Sequence, residues 1–277
     1  MDPADRRSGG VARALDWASR QPAWWHESGT LNVAVLRRLA AEAERINARV
    51  TAETGCGLST IVFSAIADRH LCFTTDEGAS LAKVRAAPLL DAGRVEFVIG
   101  PAQKTLVGHP LEGSLDLVLI DGPHAFPFPQ MEYYHFYPRI RAGGVLVVDD
   151  IHIPTIRQMY DVLRDDEMWL HLGDEMTTAF FERTDAPSFD PTGDGWERQR
   201  FNQRHFPDPA LLDAHVPGWR DRLGPPPCPS AAGDATGAGP LRDRVHELQA
   251  EVAALRASTS WRITAPLRAL GRLLPGR

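Results

Sequence analysis

The sequence has little of three features, and each shortage excludes a class of protein. Three cysteines among 277 residues are too few and too scattered for a disulfide framework or a four-cysteine zinc site. No apolar run reaches the roughly 18 residues of a membrane-spanning helix, and the stretch MDPADRRSGG lacks the apolar centre of a secretory signal. An excess of positive charge is also lacking, since 30 Lys and Arg residues are outnumbered by 36 Asp and Glu residues and the formal net charge is −6. We therefore expect a cytoplasmic protein with reduced thiols that binds no nucleic acid through bulk charge.

What the chain does have is an alternation of strand-like and helix-like segments. LNVAVLRRLAAEAERINA, from Leu31, repeats apolar residues at helical spacing, and STIVFSAIA and SLAKVRAAPLLDAG are further predicted helices. Between them lie the predicted strands RVTAETG, HLCFTTD, VEFVIG, LDLVLID and GGVLVVDD, with TTAFFER as a late strand. Several are apolar without alternation, which is typical of a parallel sheet buried on both faces. The sequence predicts a doubly wound, Rossmann-like, mostly parallel α/β sheet with ligands at the carboxyl ends of its strands.

Composition divides the chain into four parts. They are an N-terminal extension (1–30), a main domain (31–223), a Pro/Gly/Ala-rich linker (224–240) and a tail (241–277). We expect the tryptophans of the extension, Trp17, Trp24 and Trp25, to pack on the main domain. Residues 185–215 show no clear period and are expected to be irregular. The tail begins with an apolar seam of little more than two heptads, which indicates a short coiled coil, and ends in a basic amphipathic segment.

The segment AETGCGLST joins the first predicted strand to a helix and has the features of a ligand loop. Gly55 and Gly57 would let the backbone turn sharply and approach a ligand. The dinucleotide fingerprint needs a third glycine where this chain has Thr60, so a dinucleotide is not favoured. Glu53 would repel phosphate but attract an ammonium or hydroxyl group. Asp76, at the end of the second strand, suits a ribose diol or a helix cap equally. Together these residues favour a positively charged nucleoside such as S-adenosylmethionine.

Acidic residues end two of the predicted strands, LDLVLID and GGVLVVDD. If these strands are neighbours, Asp121, Asp149 and Asp150 meet at one edge, and their mutual repulsion would be relieved by protonation or by a cation. An oxygen-rich set suits Mg²⁺ or another hard divalent ion. The alternative is that one aspartate caps a helix and the others are solvated. His124, three residues after Asp121, is a candidate base or a packing residue, and His152 is a second polar candidate.

Residues 48–165 resemble class I S-adenosylmethionine-dependent methyltransferases. ETGCGLST is similar to their first motif and FTTD to their second. VEFVIGPAQKTL is similar to the third-strand motif of catechol-type O-methyltransferases, in which a glycine and a nearby glutamine border the adenine. The resemblance implies S-adenosylmethionine as the cofactor. The residues expected to contact it are Glu53, Gly55, Gly57, Ser59, Asp76, Gly100, Ala102, Gln103 and Asp121.

The strand-end acids resemble those of metal-dependent O-methyltransferases of the methyltransferase 24-like group. These enzymes take one ligand from the end of strand four and an acidic pair from the end of strand five, which Asp121, Asp149 and Asp150 match. His124 falls where macrolide-sugar enzymes place a base histidine and catechol-type enzymes a catalytic lysine. The resemblance implies a metal-assisted O-methyltransferase with His124 as its base. Rival hypotheses are a hydroxylase on the same fold and a non-catalytic, cofactor-binding scaffold protein.

The tail segment STSWRITAPLR resembles a C-terminal segment of bacterial enzymes that build or modify surface glycans. This resemblance implies a sugar or glycan hydroxyl as the acceptor, in surface polysaccharide biosynthesis. Residues 241–277 would then serve self-association, a glycan-enzyme partner or peripheral contact with the inner membrane face, to which arginines interleaved with Trp and Leu are suited. The alternatives are a disordered basic tail and a small-molecule acceptor of natural-product biosynthesis.

Overall fold

A seven-stranded mixed sheet forms the centre of the computed structural model, which describes residues 3–22, 25, 30–75, 78–188 and 195–223. The strands are β1 (Val50–Thr54), β2 (Arg69–Thr74), β3 (Val95–Ile99), β4 (Leu115–Ile120), β5 (Ile140–Val148), β6 (Trp169–Glu175) and β7 (Thr178–Arg183). Their order is β3-β2-β1-β4-β5-β7-β6; β1 to β5 pair in parallel, and β7 is antiparallel to both its neighbours. The predicted doubly wound α/β fold is confirmed.

Helices precede, connect and follow the strands. They are α1 (Pro3–Ser19), α2 (Val33–Arg45), α3 (Leu58–Ile66), α4 (Ser80–Arg85), α5 (Ala102–Gly108), α6 (Phe128–Phe136), α7 (Pro154–Asp165), α8 (Arg200–His205), α9 (Pro209–His215) and α10 (Trp219–Arg222). Within the described ranges, no helix is both long and apolar enough to cross a membrane.

Strand β4 shows why the sheet is covered on both faces. Its side chains alternate between two apolar clusters, with Val118 and Ile120 in one and Leu117 and Leu119 in the other, all 3% exposed or less. Full burial of such a side chain contributes about 1.5–3 kcal/mol. Because both faces need apolar residues, the strand reads as a continuous apolar run instead of an alternating one.

The register of the central strands aligns the ends that carry polar residues. Thr54 of β1 pairs with Ile120 of β4, and Ile120 pairs with Val148 of β5. The chain therefore leaves three neighbouring strands at the same level, and the residues that follow lie side by side. The sheet order also reverses between β1 and β4, the place where open α/β sheets form a ligand crevice.

The N-terminal extension packs on the main domain through α1. Ala14 and Ala18 are buried in the same apolar cluster as Phe63 of α3. Trp17 and Trp25 meet edge to face, with ring centroids 6.0 Å apart, and both belong to this cluster. The expected packing is confirmed for these two tryptophans, while Trp24 lies outside the described residues.

Three expectations about local structure differ from the structure or fall outside it. The helix predicted from SLAKVRAAPLLDAG ends at Arg85, because Pro88 disfavours helical backbone in the residue before it. Residues 185–215 are not wholly irregular: α8 lies there, as does α9, which begins at Pro209 after the capping side chain of Asp208. The predicted linker (224–240) and coiled-coil tail (241–277) lie outside the described residues.

Candidate active site

A cavity of about 710 Å³ opens at the carboxyl edge of the sheet, beside the ends of β1, β2, β4 and β5. The predicted cofactor residues that line it are Gly55, Gly57, Ser59, Gly100, Ala102, Gln103 and Asp121. His124, Asp149 and Asp150 line it as well. The cavity thus brings the glycine loop and the strand-end acids to one place. Asp76, the predicted ribose contact, lies outside the described residues.

The glycine loop is built for close approach between backbones. Gly55 has a φ of 93°, and a Cβ at this position would lie 2.4 Å from the carbonyl oxygen of Asp121. A larger residue would therefore be strained and would push the loop away from Asp121. The loop is tied down at its other end, where the Gly57 amide donates a 3.0 Å hydrogen bond to Thr60 Oγ1.

Glu53, unlike the other predicted cofactor residues that the structure describes, does not line the cavity. Side chains alternate along a strand, and Glu53 lies on the same side of β1 as Thr51, towards α3. Its buried carboxylate accepts a hydrogen bond from Thr60 and lies 3.1 Å from His70 Nε2. Glu53 thus holds Thr60, and through Thr60 the glycine loop.

The opposite wall of the cavity carries an unpaired donor. Gly100 follows β3 with a φ of 138°, and a Cβ there would lie 2.9 Å from the Thr105 side chain. Two residues on, α5 begins at the buried Ala102. Gln103 Nε2 is buried and has no hydrogen-bond partner. A buried donor without a partner is costly, so its place beside a cavity fits a ligand with an acceptor, such as a nucleobase nitrogen.

Four acidic and imidazole side chains converge beyond the ends of β4 and β5. His124 Nε2 lies 3.1 Å from Asp150 Oδ2 and 3.8 Å from Asp121 Oδ1. One donor atom each from Asp121, His124 and Asp150 lie within 4.8 Å of one another. Asp149 is partly engaged, because Thr178 Oγ1 donates a 2.5 Å hydrogen bond to its Oδ1. His152 is more peripheral: its ring Nδ1 lies 3.6 Å from Asp150 Oδ1, and its side chain is 59% exposed.

The backbone at this edge is held in an unusual conformation. Asp150 has a φ of 55° and Met176, which also lines the cavity, a φ of 56°. Such left-handed backbone is uncommon for residues other than glycine and is found preferentially at functional sites. At Asp150 it occurs immediately after β5, in a residue whose carboxylate faces His124.

The charges in this cluster do not balance. Burial and the negative charges of Asp149 and Asp150 raise the pKa of Asp121 to about 7, although His124 opposes the shift. Burial also raises the pKa of Asp149. Conversely, the carboxylates of Asp121 and Asp150 raise the pKa of His124 against the effect of burial. A surplus of negative charge on carboxylate oxygens fits a divalent cation.

Sequence reasoning missed one buried acid below the cluster, Glu132 of α6. Its side chain is inaccessible to solvent, and Thr54 Oγ1 donates a 2.7 Å hydrogen bond to its Oε2. Burial, with a contribution from the charge of Asp121, raises the pKa of Glu132 to about 8. The available signal was a single acid inside the aromatic segment FPQMEYYHF, where a solvated acid is not expected.

Sequence reasoning also missed the hairpin that brings Met176, Thr177 and Thr178 to the cavity. The strand β6 that forms it is short of apolar residues and is interrupted at Gly173, where its register with β7 shifts. Because β7 pairs antiparallel with β5, with Ala179 opposite Val148, the turn before β7 lies beside the end of β5. The Ile151 amide donates a 2.9 Å hydrogen bond to the Thr177 carbonyl, which fixes the hairpin against the acidic pair.

Comparison with protein families identifies a methyltransferase domain. Residues 52–151 match a family described as "Methyltransferase domain". The matched segment runs from β1 to the residue after Asp150 and so contains both the glycine loop and the strand-end acids. This match confirms the prediction of an S-adenosylmethionine-dependent methyltransferase. No match was found among curated proteins.

Solved structures of several methyltransferases are similar to the chain. The O-methyltransferase TomG from Streptomyces achromogenes, in complex with SAM, is 17% identical over 66% of this chain and 99% of its own, with a TM-score of 0.48. The Bacillus cereus O-methyltransferase in complex with SAH is 17% identical over 63% and 91%, with a TM-score of 0.45. Podospora anserina PaMTH1, bound to SAH, is 16% identical over 66% and 95%, with a TM-score of 0.47.

Proposed function

We propose that this methyltransferase transfers the methyl group of S-adenosylmethionine to a hydroxyl oxygen of a sugar or glycan, assisted by a divalent cation. The observation that carries the proposal is the convergence of Asp121, His124 and Asp150, which place one donor atom each within 4.8 Å of one another in the lining of the glycine-loop cavity. A site that only bound the cofactor would not need a base next to a group of carboxylates.

The cofactor would lie between the glycine loop and the wall formed by Gly100 and Gln103. S-adenosylmethionine supplies an electrophilic methyl group on a sulfonium centre. Gly55 and Gly57 leave room for it beside β1, and Gln103 Nε2 is free to donate a hydrogen bond to its base. The acids at the carboxyl edge favour the positive sulfonium. These residues would fix the direction of the methyl group, which in-line displacement requires.

The cation would be held by Asp121, Asp149 and Asp150. Asp149 would use the oxygen that does not bind Thr178. A divalent cation at such a position supplies positive charge that makes a nearby hydroxyl more acidic. The raised pKa of Asp121 supports this assignment, since the carboxylates lack a compensating charge of their own. Asp150, held in left-handed backbone, presents its carboxylate towards both His124 and Asp121.

His124 would take the proton of the acceptor hydroxyl at Nε2. This atom has no partner with hydrogen-bond geometry, and His124 lines the cavity in which the acceptor would bind. Thr155 Oγ1 donates a 2.7 Å hydrogen bond to the carbonyl of His124 and so fixes the backbone of this residue. Imidazole is suited to proton transfer near neutral pH.

The experiment that tests the proposal is a titration calorimetry and activity series on the full chain. S-adenosylmethionine binding would be measured with Mg²⁺ and with a chelator. Transfer of labelled methyl groups would then be followed with sugar acceptors and, in parallel, phenolic ones. Absence of cofactor binding would end the proposal. Turnover that persists in chelator would show that the reaction needs no cation. Turnover on phenols alone would show that the acceptor is a small aromatic compound instead of a sugar.

The tail is proposed to recruit the enzyme to a glycan substrate or to other glycan enzymes. The support is the segment STSWRITAPLR and the arginines that follow it. Deleting residues 241–277 should leave turnover on a small soluble acceptor unchanged and should reduce self-association in sedimentation or binding to anionic vesicles. If neither association nor vesicle binding changes, the tail has no such role.

A further inference from the structure

Glu132 lies directly beneath the loop that carries Asp121 and His124, and the proposed chemistry leaves it without a role. The side chain is wholly buried, in the helix that follows the loop. Its Oε2 accepts the hydroxyl of Thr54, while its Oε1 has no partner. A buried carboxyl in an apolar helix is costly, so its retention requires a compensating contact.

Thr54 connects this carboxyl to the loop that carries Asp121 and His124. The residue ends β1 and is fully buried. Its hydroxyl donates to Glu132 over 2.7 Å and accepts the amide of Asp121 over 3.2 Å. The backbone of Asp121 is therefore linked through one hydroxyl group to Glu132, so that a displacement of either end is transmitted to the other.

Gly122 shows that the loop backbone rests on the carboxyl group itself. A Cβ at Gly122 would lie 2.2 Å from Glu132 Oε1 and 2.6 Å from Oε2. On the other side of the loop, a Cβ at Gly55 would clash with the Asp121 carbonyl oxygen. The two glycines therefore let the loop lie between β1 and α6. Glu132 forms the part of α6 that the loop contacts.

Helices α6 and α7 together hold the far end of the loop. Gln130, two residues before Glu132, donates a 2.9 Å hydrogen bond to the carbonyl of Thr155, and the Thr155 hydroxyl donates to the carbonyl of His124. Helix α6 thus contacts the loop at Gly122 and, through Thr155, at His124.

We propose that Glu132, acting through Thr54 and Gly122, is a positioning residue that sets the place of the Asp121–His124 loop and thereby the spacing between a cation ligand and the base. Its importance for methyl transfer rests on the proposed function. The contact between Glu132 and the loop does not depend on that function, so the contact and the function can be tested separately.

Hydrogen exchange tests the contact in the free protein. Thr54→Val and Glu132→Leu should each speed exchange in a peptide covering residues 121–125 by at least about tenfold, because the Asp121 amide loses its acceptor or its support. Exchange within β4 should stay unchanged. Thr54→Ser, which keeps the hydroxyl, should keep loop exchange within about threefold of wild type. Unchanged loop exchange in both disruptive variants, or an equal rise in β4, would overturn the proposal.

A double-mutant cycle tests the contact at Gly122. Gly122→Ala places a methyl group against the carboxyl and should speed loop exchange, whereas adding Gly122→Ala to Glu132→Ala should have a much smaller effect, since the clashing oxygens are gone. Additive effects of the two substitutions would show that Gly122 does not rest on Glu132. The cycle needs no cofactor, cation or acceptor.

Ligand binding then separates positioning from bulk stability. Calorimetry of Thr54→Val should show Mn²⁺ affinity reduced by about tenfold, the range seen when groups behind metal ligands are lost, with S-adenosylmethionine affinity within about threefold. Thr54→Ser should restore the Mn²⁺ affinity. Equal losses of both affinities would indicate general destabilisation and contradict a positioning role. If wild type binds no Mn²⁺, the cation assignment fails while the exchange result still decides the loop contact.

Discussion

The two ends of strand β4 carry aspartates in opposite situations. At the amino end, Asp116 accepts hydrogen bonds from Arg141 Nε over 2.6 Å and from the amides of Arg49 and Val50. At the carboxyl end, Asp121 is surrounded by other acids and by a histidine 3.8 Å away. Burial raises the pKa of both, but hydrogen bonds reverse the shift for Asp116, whereas neighbouring charges reinforce it for Asp121.

The difference separates stability from function within one strand. Asp116 has the partners that a buried carboxylate needs, so it contributes to folding and has no capacity left for a ligand. Asp121 lacks them, and a group left in this state is a candidate for binding or catalysis. Three of the unpaired buried atoms lie in residues at or behind the same carboxyl edge: Gln103 Nε2, Glu53 Oε2 and Glu132 Oε1.

The largest effect is expected at the base. His124→Ala should lower turnover by about 10²- to 10⁴-fold, the usual contribution of a general base, and should leave S-adenosylmethionine affinity nearly unchanged. Steady-state kinetics and calorimetry on the same preparation measure both. Mn²⁺ affinity should change by less than about threefold, since a base is not a ligand. A large loss of Mn²⁺ affinity would instead make His124 a member of the ligand set with Asp121 and Asp150.

Removing the charge of Asp121 should have the next largest effect, on cation binding. Asp121→Asn should weaken Mn²⁺ binding by at least about 10-fold, because the loss of a ligand costs no less than the loss of its supporting group. Asp116→Asn is the matched control: the same substitution in the same strand should leave Mn²⁺ affinity unaltered. Equal losses in both variants would show that the aspartates at the two ends of β4 do not differ in their contribution to cation binding.

Asp116 should instead determine stability. Asp116→Asn should lower the free energy of unfolding at pH 7 by about 2 kcal/mol, the range for hydrogen bonds to a charged group, and denaturant unfolding measures it. Because the folded-state pKa of Asp116 is lowered, its stabilisation is present above the ordinary value of 3.8 and is lost as the pH falls below it. The difference between wild type and variant should therefore shrink in acid. A pH-independent difference would contradict the role of the ionised group.

The same contrast explains how much could be predicted from sequence. Strand β4 and its neighbour β5 were predictable because LDLVLID and GGVLVVDD each contain four consecutive apolar residues. The meeting of Asp121 with Asp149 and Asp150 followed from placing those strands side by side. The direction of Glu53 was not predictable, since it depends on which face of β1 receives α3. Glu132 was missed because its hydrogen-bond partner, Thr54, lies 78 residues away in the chain, and no local pattern connects the two.

The smallest effect should be a gain in stability. In the presence of a chelator, Asp121→Asn should raise the free energy of unfolding at pH 8 by about 1 kcal/mol, a modest value because the side chain is 29% exposed and partly screened. The folded-state pKa of Asp121 is raised to about 7, so this carboxyl costs the wild type stability as the pH rises from 3.8 to about 7, and the variant lacks that contribution. The gain should therefore be absent at pH 3.5 and complete above pH 7. Saturating Mn²⁺ should reverse it, since the ion stabilises only the protein that binds it. A variant less stable than wild type in chelator would mean that Asp121, like Asp116, is a structural carboxylate.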